Sequence, residues 1–295
     1  MFTQLTGPAR IFTALALLAS FSALAEEDFS RTVPAPPKGQ VEISTFGGLV
    51  DVSGWDQPQI DIKGQLSSAV ERVDVTSDRG RTSIKVLVRH GGEATLRIRV
   101  PKHSDLEVTA VSADIRTHDV LGEQRLKSVS GDIEADLYSS DVETKTVSGD
   151  TSFRGDRKPI YVRATSVSGD IHYERGAGDL EGSTVSGNLN ATLDPGGDVR
   201  VRTTSGDVAL KGRLTPAATV DGETISGELR LEMKTEAGYR YEVSSFSGEI
   251  ESCFDKQAER SSRYGPGSRL MGSRGDAKGE VRLKTMSGDV TLCDR

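Results

Sequence analysis

Apolar and polar residues alternate along most of the chain with the period of two expected of strands that bury one face, and no 3.6-residue period is visible after residue 25. Within this alternation one phrase recurs, Ser128-Val129-Ser130-Gly131-Asp132-Ile133. It returns at residues 146–151, 166–171, 184–189, 203–208, 224–229, 245–250 and 285–290, with a degenerate copy at 110–115 in which Ala113 replaces the glycine. The glycines Gly131, Gly149, Gly169, Gly187, Gly206, Gly227 and Gly248 are 18, 20, 18, 19, 21 and 21 residues apart, and Gly288 follows after 40. A fixed period of this length is the mark of a stacked repeat. The position two after the glycine is apolar in nearly every copy (Ile133, Ile171, Leu189, Val208, Leu229, Ile250). A second alternating run, such as Ile160, Val162, Ala164, precedes the phrase in a different phase, so the chain must bend at the Ser-Gly pair, where glycine tolerates angles other residues avoid. Each period then supplies two short strands, one coil of a parallel β-solenoid.

The expected fold is therefore all-β: a single-stranded parallel β-helix of about 20 residues per coil, with about 11 to 13 coils in a rod near 55 Å long. The 40-residue gap is two periods, and it reads as a loop excursion at about 254–279 that leaves the stack. From Val41 to Val100 the phrase is worn, with Thr45-Phe46-Gly47-Gly48 as its remnant, and this segment reads as the cap of the first open coil. A separate small β-sandwich is the alternative for it.

Residues 1–25 read as a signal peptide: one basic residue, Arg10, an apolar run from Ile11 to Leu24, and Ala23-Leu24-Ala25 before Glu26-Glu27. That run is too short for a good membrane span, and no other long apolar stretch follows, so no transmembrane segment is expected. Residues 26–38, with Pro34, Pro36 and Pro37, form an extended leader, and 39–295 one solenoid domain. The protein is expected to be exported, periplasmic or cell-surface/secreted. A net charge of −7, mixed along the chain, disfavours nucleic acid as a partner.

The order Gly54-Trp55-Asp56, then Arg99-Val100-Pro101, then serial Thr/Ser-Val-Ser-Gly-Asp-Ile phrases resembles the bacterial β-strand-repeat domain family of unknown function whose members carry the label adhesin. The likeness covers roughly residues 41–294. It implies a cell-envelope β-helix and brings no catalytic residues with it.

The acidic residues after the glycines (Asp132, Asp150, Asp170 and their equivalents) would stack about 4.8 Å apart along one edge. Calcium could bridge such a row, but Asp and Asn also favour turns by bonding backbone, which explains the series without a metal. No cofactor or metal site is expected. The phrase serines are too many to be nucleophiles, and His90, His103, His118 and His172 share no phrase position, so the serines read as a hydrogen-bonded ladder inside the bend. The excursion is locally basic, with Lys256, Arg260, Arg263, Arg269, Arg274 and Lys278, and is a possible binding loop for an anionic surface; a solvated loop balanced by Asp255, Glu259 and Asp276 is the alternative. Cys253 and Cys293 each lie five residues after a phrase glycine, which places them on equivalent positions of two coils and predicts a disulfide.

The functional expectation is a non-enzymatic, adhesin-like envelope protein presenting an elongated surface to a macromolecule, protein or polysaccharide. The alternatives are a polysaccharide-active β-helix enzyme and a structural or stress-related periplasmic factor. A groove lined by clustered charges would favour the enzyme, and a smooth face with an exposed apolar patch a protein partner.

Overall fold

A computed structural model describes residues 27–89, 91–254, 257–261 and 266–294; the expected signal peptide lies outside them. The front of the chain forms β1 (Glu27–Pro34), β2 (Gln40–Trp55), β3 (Gln59–Leu66), β4 (Val70–Asp78), β5 (Arg81–Val88) and β6 (Glu93–Pro101). The repeats form β7 (Asp105–His118), β8 (Gln124–Lys127), β9 (Ile133–Leu137), β10 (Val142–Lys145), β11 (Thr151–Gly155), β12 (Ile160–Thr165), β13 (Ile171–Thr184) and β14 (Leu189–Ser205). They continue through β15 (Val208–Leu214), β16 (Thr219–Ser226), β17 (Leu229–Lys234), β18 (Tyr239–Ser245) and β19 (Ile250–Ser252). β20 (Glu259–Arg260), β21 (Ser268–Ser273), β22 (Gly279–Ser287) and β23 (Val290–Cys293) end the chain.

The run before each phrase lies on one face and the run after it on the other, and the alternating apolar residues of both meet between them. Ile133, Ile171, Leu189, Val208 and Leu229 form one buried row, no more than 2% exposed; Ile250 is only half-buried because β19 is the edge of its face. Thr151, the polar member of this row, is also buried.

The open single-stranded β-helix is corrected. β7 and β13 each run unbroken from one face to the other, so the ladder closes on itself through β7, β8, β10, β12, β13, β11, β9 and back to β7, a closed ring of seven parallel strands. Outer strands are added to the ends, and not all are parallel. β3 pairs antiparallel with β6 and with β1, and β4 with β5, so the worn front segment caps the stack with reversed strands, and the leader supplies an edge strand of its own. The physical reason is that an end coil has no parallel neighbour to satisfy its backbone groups, and short hairpins satisfy them from within the chain.

The other end departs from chain order. β22 pairs with both β16 and β18, and β23 with both β17 and β19, so the C-terminal coil is inserted between the two coils that precede it in sequence. Residues of the expected excursion leave the parallel stack: β21 lies antiparallel on the outer edge of β18, and β20 on β21. On the first face, one row of surface charge favours the insertion. On the first face Glu107, Arg125, Glu143, Arg163 and Glu181 stand in register, followed by Arg200, Asp221, Arg282 and Glu242. Every step changes sign only because Arg282 lies between Asp221 and Glu242; in chain order two acids would face each other, which destabilises a cross-strand pair.

Candidate functional site

The phrase forms the corner where the two faces meet. Its first residue turns inward and its hydroxyl accepts the N–H of the glycine three residues on: Gly131 to Ser128 at 2.9 Å, Gly149 to Thr146 at 2.9 Å, Gly169 to Ser166 at 2.7 Å and Gly187 to Thr184 at 3.1 Å. At later coils the glycine N–H turns to the neighbouring coil instead, Gly206 to the Ser226 carbonyl and Gly227 to that of Ser287. The Thr203 and Thr224 hydroxyls are then buried without a partner.

Close approach, more than a special backbone angle, requires the glycines. A Cβ on Gly149 would lie 2.0 Å from the Gly131 carbonyl oxygen, one on Gly169 1.9 Å from that of Gly149, and one on Gly187 2.1 Å from that of Gly169. Of the phrase glycines from Gly131 to Gly288 only Gly227 has a positive φ, as does Gly48 in the worn front copy.

The acidic series stitches coils together. Asp132 N–H donates to Asp114 Oδ1 at 3.1 Å, Asp150 to Asp132 at 2.9 Å, Asp170 to Asp150 at 2.8 Å and Asn188 to Asp170 at 2.7 Å. The carboxylates thus bond the backbone of the next coil, not their own. Among the described residues no group of three or more His, Cys, Asp or Glu is placed to hold a metal ion.

The second phrase residue points outward, and here the corner presents what the sequence reading passed over. Phe46, Val111, Val129, Val147, Val167 and Val185 are 38 to 45% exposed. Ile225, Met286 and Phe246 continue the line at 49, 52 and 57%. Among the described residues, only Met271 is a large exposed hydrophobic elsewhere. The line is continuous because the carbonyl of each residue accepts the N–H of the next coil's serine, Val111 from Ser130, Val129 from Ser148, Val147 from Ser168, Val167 from Ser186 and Val185 from Ser205. Thr204 is the one polar member, between Val185 and Ile225. Ten positions at the coil spacing make a ridge about 43 Å long. Its signal in the sequence was an apolar residue kept directly beside the buried phase, where alternation calls for a polar one.

The ridge divides two flanks of opposite sign. On one side run Asp132, Asp150, Asp170, Asp207, Asp289 and their acidic equivalents. On the other lie Lys127, Lys145, Arg202 and Lys284, interrupted by hydroxyl residues and Glu223. Farther out both faces are laced by ion pairs: Lys127 with Glu107 at 3.0 Å, Arg163 with Glu181 at 2.7 Å, and Arg116 with Glu134 at 3.3 Å. Glu143 is held below the usual carboxylate range by the Lys145 ammonium, and Glu181 by the Tyr161 hydroxyl and Arg163.

On the second face His118, Asp136, Arg154, His172 and Glu174 line a shallow depression of about 300 Å³. These groups satisfy one another, His118 with Asp136 and His172 with Glu174, each at 3.0 Å. The neighbouring rings, Phe153 and Tyr173, point into the core, where burial pushes the Tyr173 hydroxyl up to about 12. Neither of these two rings is exposed as a platform for a sugar.

Of the proposed loop residues, Lys256 and Arg263 lie outside the described residues. Arg260 is exposed on β20, and Lys278 is exposed before β22. Arg269 pairs with Glu242, and Arg274 pairs with Asp294 at 3.3 Å while stacking over the Phe254 ring at 4.4 Å. Cys253 and Cys293 form a disulfide with α-carbons 4.9 Å apart, joining the adjacent strand ends of β19 and β23. Cys293 is buried and Cys253 exposed, so the bond sits at the rim of the core.

No curated protein matches the chain. Among solved structures it is similar to one named for cell adhesion from Clostridium sporogenes, at 10% identity over 92% of this chain and 100% of that one, with a TM-score of 0.30. It is also similar to one named for lipid binding from Parabacteroides distasonis, at 8% identity over 89% and 96%, with a TM-score of 0.39. A family model matches residues 16–210 and 183–293, and on that match the chain belongs to the Toastrack DUF4097 family.

Proposed function

We propose that this protein is an exported, non-catalytic binding scaffold whose contact surface is the corner ridge, offered to a macromolecular partner in the cell envelope. One observation carries the reading: nine of ten successive outward positions on one line are large and apolar. The fold does not need them to be so, since Thr204 occupies the same position in an intact coil. Strand propensity does not account for them either, because Val129, Val147, Val167, Val185 and Phe246 lie in the bends between strands. Contiguous exposed apolar surface of this kind marks an interaction site. The disulfide and the character of residues 1–25 support an oxidising, extracytoplasmic location.

The test places a photoreactive residue at Val147 or Val167, and at Asn190 on the second face as a control, in the protein expressed in its own cells. Adducts with a macromolecule from the ridge positions but not from Asn190 are expected. Equal labelling from all three, or none from the ridge, refutes the reading.

A further inference from the structure

Resting on that assignment of the ridge, we infer that its partner is a second copy of the same chain, docked ridge to ridge with the two stacks parallel. The first ground is spacing. The apolar side chains recur at the coil spacing of about 4.8 Å, whereas same-face residues of a strand lying along the ridge recur at about 6.8 Å and the turns of a helix at about 5.4 Å. Over nine steps even the helix drifts by about one rung. A second ridge keeps step from end to end.

The second ground is charge. A two-fold axis can run along the ridge or across it. When it runs across, the stacks are antiparallel and the acidic flank of each copy meets the acidic flank of the other. When it runs along the ridge, each acidic flank meets the other copy's opposite flank, rung for rung. Asp132 then faces Lys127, Asp150 faces Lys145, and Asp289 faces Lys284 of the second copy, lysines that within their own copy also reach Glu107, Glu143 and Glu223. Asp170 faces a hydroxyl, Thr165, and only Glu228 meets an acid, Glu223. Like-charge rows suppress the antiparallel mode, and the alternating match selects the parallel one.

Sedimentation of the purified protein with its native disulfide intact should show a dimer at micromolar concentration. Val147→Lys with Val167→Lys should abolish it while leaving the far-UV circular dichroism of the folded chain unchanged, because both side chains point away from the core. Lys127→Glu with Lys145→Glu should weaken it on the order of tenfold. Orientation is read by single cysteines: Val129→Cys should link to itself across the parallel dimer. In the antiparallel arrangement it would link instead to Ile225→Cys in a mixture, and that result overturns the proposal. A monomeric wild type also overturns it, as does a dimer indifferent to Val147→Lys/Val167→Lys. If the wild type is monomeric while photoreactive Val147 still captures another macromolecule in cells, the self-docking fails and the ridge remains the contact surface. If neither occurs, both fall.

Discussion

Gly169→Ala tests the packing of the corner. The added Cβ would sit 1.9 Å from the Gly149 carbonyl oxygen and 2.6 Å from its carbon, both backbone atoms that cannot swing aside. Gly169 is not in the left-handed region, so alanine carries no conformational penalty and the whole cost comes from the approach of one coil to the next. The coils must part by roughly 1 Å or more before the contact becomes one that close-packed interiors allow. That movement strains the bonds crossing the corner, Asp170 N–H to Asp150 Oδ1 at 2.8 Å and Ser168 N–H to the Val147 carbonyl at 2.8 Å. Overpacking costs about 1–3 kcal/mol and each weakened bond about 1 kcal/mol, so the expected loss is about 3–5 kcal/mol. Gly47→Ala is the control: it stands at the serine position of the worn copy, beside the phrase glycine Gly48, its φ is not positive, and its Cβ would meet nothing closer than 3.5 Å. It should change stability by less than about 0.5 kcal/mol. Denaturant unfolding of both variants reads the difference at equal slope. A loss below about 1 kcal/mol for Gly169→Ala would show that the glycine ladder is not set by coil approach.

Four further outcomes follow from the same structure. Thr146→Val removes the acceptor of the Gly149 N–H and should cost about 1–3 kcal/mol, whereas Thr224→Val, whose hydroxyl has no partner, should be neutral or stabilising; equal effects in denaturant would contradict the change of turn between these coils. Arg282→Glu puts a third acid in register with Asp221 and Glu242 and should cost about 1–2 kcal/mol, reduced in high salt; a null effect would undermine the inserted order of β22. Cys253→Ser should lower stability by about 2–4 kcal/mol, and reductant should lower the wild-type thermal midpoint while leaving the variant's unchanged. Asp61 is held below the usual carboxylate range by its hydrogen bond from Arg99, so its contribution is complete above about pH 4 and is lost as pH falls through the lowered value. Asp61→Asn should accordingly cost about 2 kcal/mol at neutral pH, and the gap to wild type should close in acid.

Much of this was legible in the chain. The 18-to-21-residue spacing gives one coil per phrase, and the residue two after each glycine is buried, as its alternation requires. What spacing along a chain does not contain is the order of strands in space. The 40 residues between Gly248 and Gly288 are compatible with a loop, yet the chain doubles back so that β22 and β23 enter between earlier coils. The signal lay in side chains, in the like charges of Asp221 and Glu242 and the unlike charge of Arg282, which have meaning only once the register is known. Ring closure was hidden for a related reason. β7 carries Ala113 at the glycine position and runs through the corner without a break, and a local pattern does not reveal whether a bend ends a strand. The glycines were legible as necessary but not for the right cause, because a carbonyl of another coil is absent from any local reading.

The distribution of satisfied groups explains why interaction should concentrate on the ridge. The central row of the first face alternates in sign from coil to coil, and both faces carry ion pairs, so much of their charge is matched within the molecule and offers a partner little unspent attraction. The stack ends would be the other hazard, since open strand edges invite pairing with any chain. Here the first face ends in the two-residue β20 and the second in the three-residue β19, tied to β23 by the disulfide. At the front the edge strands are β1, exposed, charged and closed by Pro34, which has no N–H to donate, and β4, which carries the charges of Glu71, Arg72, Asp74 and Asp78. Faces that pair much of their own charge and ends that resist extension leave one surface whose chemistry is incomplete within a single copy, the exposed apolar line of the corner. Each added repeat lengthens that line by one apolar rung and one pair of flanking residues. Strength and register of contact therefore scale with the number of coils, which gives a repeated phrase a functional reason to keep its exposed second residue apolar.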